Sequence, residues 1–89
     1  MTWKIELTDR AHRDLGKLDP QIVRRVYQFL FGRLAELENP RRVGEALRGS
    51  QFGEYWKYRV GDYRLICKIK DDRLLVLVLR VGHRREIYR

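Results

Sequence analysis

The residues of this sequence best suited to chemistry lie between Tyr55 and Arg89, where cations and tyrosines alternate with apolar positions. Arginine is a permanent bidentate donor to phosphate, and tyrosine stacks on unpaired bases. Lysine and histidine can exchange protons. Together these residue types suit cleavage of RNA by its own 2′-hydroxyl. That reaction needs a proton acceptor, positive charge around the pentavalent phosphorus and a proton donor for the 5′-oxygen. Composition alone does not separate this reaction from plain RNA binding.

The distribution of charge points to the same half of the chain. The 89 residues carry 20 Lys and Arg against 12 Asp and Glu, a formal net charge of +8. Residues 1–40 hold seven basic and six acidic side chains, whereas residues 41–89 hold thirteen and six. A basic excess confined to one half favours a polyanionic partner.

Several other classes of protein are disfavoured by the sequence. The single cysteine, Cys67, excludes an internal disulfide and alternates with apolar neighbours, so it is predicted to be packed. No metal-ligand cluster, phosphate loop or serine-nucleophile motif is present, so we expect no metal and no cofactor. Without an apolar run of membrane length or a signal peptide, residues 1–89 are predicted to form a single cytoplasmic domain with no membrane association.

The first half of the chain predicts one strand and two helices that position this basic half. Residues Thr2–Thr8 alternate apolar and polar, which is typical of a half-buried strand. Asp9–Leu18 has apolar residues at helical spacing. Asp19-Pro20 then starts a second helix that is expected to reach about Glu38, where Asn39-Pro40 ends it.

The second half predicts a loop and three strands. The loop is Arg41–Gly53, which is polar and rich in glycine. The strands are Tyr55–Val60, Tyr63–Lys70 and Leu74–Val81, after which Gly82 is expected to release the chain into a basic tail. The predicted fold class is therefore α+β, with the N-terminal strand and helical hairpin packed on one face of a mostly antiparallel sheet.

A resemblance makes the function specific. The strings EALRGSQFGEYWKYRVGDYRLICKI and LVLRVGHRREIYR resemble the RelE branch of the RelE/ParE superfamily, which comprises toxins of type II toxin–antitoxin systems. The similarity spans the whole chain. It implies a microbial-ribonuclease-like RelE fold and metal-independent cleavage of mRNA in the A site of the 30S ribosomal subunit. It also implies inhibition by a cognate antitoxin, RelB-like or other.

The resemblance also implies roles for single residues. Lys57 matches a lysine proposed as general base, and Arg64 matches an arginine placed to stabilise the phosphorane. Arg84 matches an arginine proposed to bind phosphate and assist the leaving group. Tyr88 matches a tyrosine that orients the substrate base. A purely structural interpretation stays open for each residue; Arg64, for example, could form a salt bridge with Asp62 or Glu54.

Two positions depart from the family pattern. Tyr55 stands where relatives have a second active-site lysine, which leaves the identity of the base open. His83 precedes Arg84 where some relatives carry lysine and others use a histidine as acid, so His83 is a candidate proton donor. Four further residues are predicted to contact substrate: Tyr55, Arg59, Arg85 and Arg89.

The predicted function is a ribosome-dependent endoribonuclease toxin that cleaves mRNA and inhibits translation. The alternative is a ParE-like toxin that inhibits DNA gyrase without a nuclease centre. A third possibility is a degenerate relative that only binds an antitoxin. Retention of a basic catalytic set argues for the nuclease.

Overall fold

The computed structural model describes residues 2–47 and 55–87 and shows an α+β fold, as predicted. In chain order the regular elements are strand β1 (Lys4–Leu7), helices α1 (Asp9–Gly16) and α2 (Pro20–Gly32), and strands β2 (Glu45–Ala46), β3 (Tyr55–Val60), β4 (Tyr63–Lys70) and β5 (Leu75–His83). The bounds of β3 and β4 are those predicted. No helix in the described part of the chain is long and apolar enough to cross a membrane.

The strands form a five-stranded sheet in the order β1-β5-β4-β3-β2. β1 pairs with β5 in parallel, and the remaining pairs are antiparallel. The β4–β5 register shifts between Ile66 and Cys67, where a bulge accommodates one extra residue of β5. The predicted mostly antiparallel sheet is therefore confirmed.

One face of the sheet forms the core together with the two helices. Tyr58, Leu65 and Val78 are fully buried there against Leu15 and Leu30. Cys67 is also buried in this layer, as predicted, and burial raises the pKa of its thiol. Because side chains alternate along a strand, the opposite face receives the neighbouring residues of β3 and β4. These include the cations Lys57, Arg59 and Arg64.

Helix α2 is shorter than the sequence predicts, ending at Gly32 rather than near Glu38. The chain turns at Arg33 into a 3-10 turn, Leu34–Glu36, which buries Leu34. Trp3 stabilises this path because its backbone N–H donates to the Ala35 carbonyl at 2.8 Å. Hydrogen bonds to the start of the first strand thus replace further helical turns, which residue periodicity does not reveal.

The predicted loop after α2 contains the short edge strand β2, which the sequence did not indicate. Three aromatic donors hold the segment before it. Trp3 Nε1 donates to the Glu38 carbonyl at 3.1 Å. Tyr58 Oη donates to the Pro40 carbonyl at 2.7 Å. Trp56 Nε1 donates to the Val43 carbonyl at 2.8 Å. The segment leading to β2 is therefore fixed against the sheet. Residues 48–53 of the predicted loop, together with Glu54, lie outside the described residues.

Gly44 allows β2 to approach β3 closely. Its φ is +75°, and a Cβ built on it would clash with the Lys57 carbonyl oxygen. We predict that Gly44→Ala lowers the free energy of unfolding by roughly 1–3 kcal/mol, because it adds both a clash and left-handed strain. Gly32→Ala is the matched control, since a Cβ there meets no atom within 4 Å. Urea denaturation checks both variants; equal midpoints would contradict the prediction.

Strand β5 also continues further than predicted, through Gly82 to His83. The reason is the tail, which folds back so that Ile87 is buried over Gly82. A Cβ at Gly82 would lie 3.1 Å from Ile87 Cδ1. Gly82 therefore leaves room for a packed side chain and does not end the strand.

Candidate active site

A cleft on the open face of the sheet brings together two of the predicted catalytic residues, Lys57 and Arg64, with the predicted substrate contact Arg59. This sheet cleft has a volume of about 320 Å³ and is lined by Gly44, Glu45, Lys57, Tyr58, Arg59 and Arg64. Arg59 and Arg64 are directly opposite each other across β3 and β4. Like charges in that position are destabilising unless an anion lies between them. The sheet cleft therefore has the electrostatic character of an anion-binding site.

Lys57 is engaged by a carboxylate that the sequence reasoning did not single out. Its Nζ lies 3.0 Å from Glu45 Oε1, and Glu45 and Lys57 are register partners across β2 and β3. The Lys57 side chain is 25% exposed and that of Glu45 is 70% exposed. Glu45 is the one described carboxylate lining the sheet cleft.

The Arg64 guanidinium is held by the turn between β3 and β4. Its Nη1 donates to the carbonyls of Gly61 and Tyr63, both at 3.1 Å. Its remaining nitrogens make no hydrogen bond to a described residue. Backbone carbonyls thus hold Arg64 and leave donors for a ligand; of the two salt-bridge partners considered from the sequence, Asp62 makes no such contact and Glu54 lies outside the described residues.

Arg84 lies beside the same turn. Its backbone N–H donates to the Asp62 carbonyl at 2.9 Å, which ties the start of the tail to the β3–β4 turn. The Arg84 side chain is exposed. This hydrogen bond places the Arg84 backbone beside the turn that also holds the Arg64 guanidinium, but Arg84 is not among the residues that line the sheet cleft.

His83 belongs to a different cleft. In the β4–β5 register, Arg64 pairs with Gly82 and Tyr63 pairs with His83, so alternation places Arg64 and His83 on opposite faces. The imidazole contacts the Tyr63 ring edge-on, with centroids 5.5 Å apart. It lines an edge cleft of about 430 Å³ beside α1, together with Arg10, Asp14, Lys17, Leu18, Tyr63, Arg80, Val81, Gly82, Glu86 and Ile87.

Asp14 organises the edge cleft from helix α1. Its side chain is 9% exposed, and its Oδ2 accepts from the Val81 backbone N–H at 2.9 Å and from Arg80 Nε at 3.0 Å. Its Oδ1 accepts from Arg10 Nε at 3.4 Å. β1 pairs with β5 only as far as Val78. Beyond Val78, the Val81 N–H of β5 therefore donates to Asp14 and not to a neighbouring strand. This hydrogen bond fixes the segment of β5 that leads to His83.

The titration of Asp14 links this contact to stability. Burial raises the pKa of the carboxyl group, but hydrogen bonds from Val81 and Arg80 and the Arg80 charge outweigh it, so the net pKa is lowered. A lowered folded-state pKa means that the stabilisation is complete above the unfolded value of about 3.9 and is lost as pH falls through the folded value. The contact is therefore present at neutral pH and absent in strong acid.

We predict that Asp14→Asn lowers the free energy of unfolding by roughly 2 kcal/mol at pH 7 and weakens its dependence on pH below about 4. Asp71→Asn is the control. Asp71 also has a lowered pKa, caused by its bidentate pair with Arg41, but its side chain is 64% exposed and such surface pairs contribute at most about 1 kcal/mol. Urea denaturation between pH 2 and pH 7 measures both. A larger loss in Asp71→Asn would contradict this ranking.

The other predicted residues are distributed as follows. Tyr55 is half-buried on the same strand face as Lys57, but it is absent from the residues that line the sheet cleft. Arg85 is exposed, and its backbone N–H donates to His83 Nδ1 at 3.2 Å. Tyr88 and Arg89 lie outside the described residues. The roles predicted for all of these residues remain predictions.

Two acidic residues were missed by sequence reasoning. A signal for Asp14 was available, because it lies three residues after Ala11 on the apolar side of its helix. Glu45 gave none, since a two-residue strand has no readable periodicity. Within residues 2–47 and 55–87, no group of three or more His, Cys, Asp or Glu residues could hold a metal ion.

Known proteins are similar to this chain in sequence and in fold. Residues 5–88 match the family described as the ParE toxin of type II toxin-antitoxin system, parDE. Toxin RelG of Mycobacterium tuberculosis is 43% identical over 89 residues, which is 100% of this chain and 99% of the relative. The mRNA interferase toxin RelE of Escherichia coli is 29% identical over 90 residues, which is 99% of this chain and 92% of the relative. A chain in the crystal structure of the toxin-antitoxin complex RelBE2 from Mycobacterium tuberculosis matches with a TM-score of 0.83 and 38% identity, over 93% of this chain and 99% of that one.

Proposed function

The chain belongs to the RelE/ParE superfamily of type II toxins, and we propose that it is a metal-independent endoribonuclease that cleaves mRNA in the ribosomal A site. The observation that carries the proposal is the sheet cleft, which is lined by Lys57, Arg59 and Arg64 together with one carboxylate, Glu45. A gyrase inhibitor has no need for such a cluster. The relative named as an mRNA interferase supports the same activity.

The proposed reaction is attack of a ribose 2′-oxygen on the adjacent phosphorus. The new O–P bond gives a 2′,3′-cyclic phosphate, and the bond from phosphorus to the 5′-oxygen breaks. Arg64 supplies its unused guanidinium nitrogens to the phosphorane oxygens, where negative charge accumulates. Arg84, beside the same turn, is proposed to bind the phosphate as well. Tyr88 is proposed to orient the base.

The Lys57–Glu45 ion pair supports one assignment of the proton acceptor and the proton donor. The ammonium in an ion pair has no lone pair with which to accept a proton, whereas the carboxylate does. Glu45 is therefore the proposed acceptor of the 2′-hydroxyl proton, in place of Lys57. Lys57 then donates a proton to the departing 5′-oxygen, a role predicted for His83 from the sequence. His83 lies in the other cleft, which is why the geometry favours Lys57.

The proposed partners follow from the basic surface. Ribosome-bound mRNA is the substrate, so the toxin acts in the cytoplasm. The matched RelBE2 crystal structure is of a toxin–antitoxin complex, which supports a RelB-like antitoxin as the inhibitor of this chain. Acidic residues in the antitoxin would complement the seven-charge excess of residues 41–89.

The test is induction of the chain in cells followed by primer extension on mRNA. Growth arrest with cuts inside codons, and none in ribosome-free RNA, is the expected result. The ParE description of the matching family favours one alternative, inhibition of DNA gyrase. Arrest accompanied by DNA breaks and intact mRNA would establish that alternative and overturn the proposal.

A further inference from the structure

We infer that the edge cleft is a second anion site, which holds a backbone phosphate of single-stranded RNA separately from the sheet cleft. RNA as the source of the phosphate rests on the proposed function. The anion chemistry itself rests on the side chains of the edge cleft.

Two arginines of the edge cleft are held by one carboxylate. Arg10 and Arg80 both direct Nε at the buried Asp14 carboxylate. Neither arginine makes another hydrogen bond to a described residue, so the terminal nitrogens of both guanidinium groups remain available. Asp14 therefore holds the guanidinium groups in place while it leaves their terminal nitrogens as donors for a phosphate.

A hydrogen bond within the tail sets the tautomer of His83. Its Nδ1 accepts the Arg85 N–H, so the proton of a neutral ring lies on Nε2. His83 is thereby a hydrogen-bond donor at Nε2 even when it is uncharged. The edge-on contact with Tyr63 restricts the orientation of the ring. His83 therefore supplies the edge cleft with a hydrogen-bond donor suited to a ligand that accepts.

The size and charge of the edge cleft suit a phosphate group. About 430 Å³ is within the range of small-ligand sites and accommodates a nucleotide phosphate with its sugar. Lys17 adds a third cation to the lining, and Glu86 is the only exposed carboxylate among the lining residues. With Asp14 occupied by the two arginines, an oxyanion at the centre is more favourable than a cation.

The two clefts lie near each other in the same sheet. Arg64 and His83 lie on adjacent strands but on opposite faces, and Arg84 lies at the turn where these strands end. From β3 to the outer edge of β5 is about 10 Å at normal strand spacing. A single RNA strand can therefore pass from the sheet cleft, around the turn, to the edge cleft. The second phosphate would fix the register of the substrate.

The experiment uses nitrogen-15 NMR of the full-length protein, titrated with inorganic phosphate and then with a short 2′-O-methyl RNA that cannot be cleaved. We expect saturable shifts of the Val81 amide and the His83 ring nitrogens. Lys17→Ala should weaken binding about tenfold, and Glu86→Gln should tighten it. Arg13→Ala is the matched control, because Arg13 is exposed on the same helix and does not line the cleft.

Three results would overturn the inference: no saturable shift at Val81 and His83, an equal loss of affinity in Arg13→Ala, or shifts produced by an acidic peptide but by neither phosphate nor RNA. The measurement needs no ribosome and no cleavage. Absence of mRNA cleavage in cells would therefore remove the proposed function without affecting phosphate binding. If the wild-type protein shows no phosphate binding in the NMR titration while Lys17→Ala cleaves mRNA at the wild-type rate, the inference about the edge cleft fails and the proposed function stands.

Discussion

Arg64→Ala is expected to reduce ribosome-dependent mRNA cleavage by about 10²–10³-fold, the loss typical of removing one donor that stabilises a charged transition state. The Arg64 guanidinium is positioned by the carbonyls of Gly61 and Tyr63, so its free nitrogens face a fixed location in the sheet cleft. Preorganised donors contribute most because they need no rearrangement as the phosphorane forms. Single-turnover cleavage of an mRNA on a stalled ribosome measures the effect.

Two control variants separate catalysis from folding and from general charge. Arg73→Ala removes one exposed cation outside the sheet cleft and should leave cleavage unchanged. Arg64→Lys keeps the charge but loses the forked donor geometry, so it should recover only part of the rate. A fully active Arg64→Ala variant would contradict the assignment. So would a loss of cleavage in Arg73→Ala equal to that in Arg64→Ala, because general positive charge would then explain both.

The sequence predicts the strands of the sheet better than it predicts the connections between them. β3 and β4 have clear period-2 patterns and a glycine turn with φ of +59°, and their bounds were predicted correctly. Helix α2 was overextended because Leu34 and Leu37 keep the helical spacing while they pack by way of a 3-10 turn. The path there is fixed by the hydrogen bonds from Trp3, a contact 32 residues distant in sequence.

The same distinction applies to the candidate site. Lys57, Arg59 and Arg64 could be assigned to one face because alternation along two paired strands is a local property. The position of His83 could not be assigned, because it depends on whether β5 continues past Gly82. Burial of Ile87 over that glycine settles the question. The pairing of Lys57 with Glu45 depends on the approach of β2 at Gly44, which no sequence pattern displays.

Both clefts share one principle of construction. In each, a carboxylate from a neighbouring element contacts cations of the central sheet: Glu45 with Lys57, and Asp14 with Arg80. The difference is burial. Asp14 is 9% exposed and holds backbone as well as side chains, so its role is positioning. Glu45 is 70% exposed, which leaves it accessible to substrate and to water.

Glu45→Gln provides the sharpest test of the proposed proton transfer. If the Glu45 carboxylate accepts the 2′-hydroxyl proton, the amide variant should lose about 10²–10⁴-fold in single-turnover cleavage, the usual contribution of a general base. If Lys57 were the base instead, removing the negative charge of Glu45 would favour the neutral amine, and Glu45→Gln would cleave as fast as the wild type or faster. The two mechanisms therefore predict changes of opposite sign.

Stability cannot account for the expected loss, because the Glu45 side chain is 70% exposed and a solvent-screened ion pair contributes at most about 1 kcal/mol, so the thermal midpoint should change little. Glu36→Gln, which removes an exposed carboxylate elsewhere, should retain full activity. Lys57→Gln should also be slow under the proposed mechanism, since the 5′-oxygen would lose its proton donor. An mRNA whose 5′-oxygen is replaced by sulfur should restore cleavage in Lys57→Gln but not in Glu45→Gln, because a thiolate leaves without protonation. Rescue of Glu45→Gln by that substrate would reverse the two assignments.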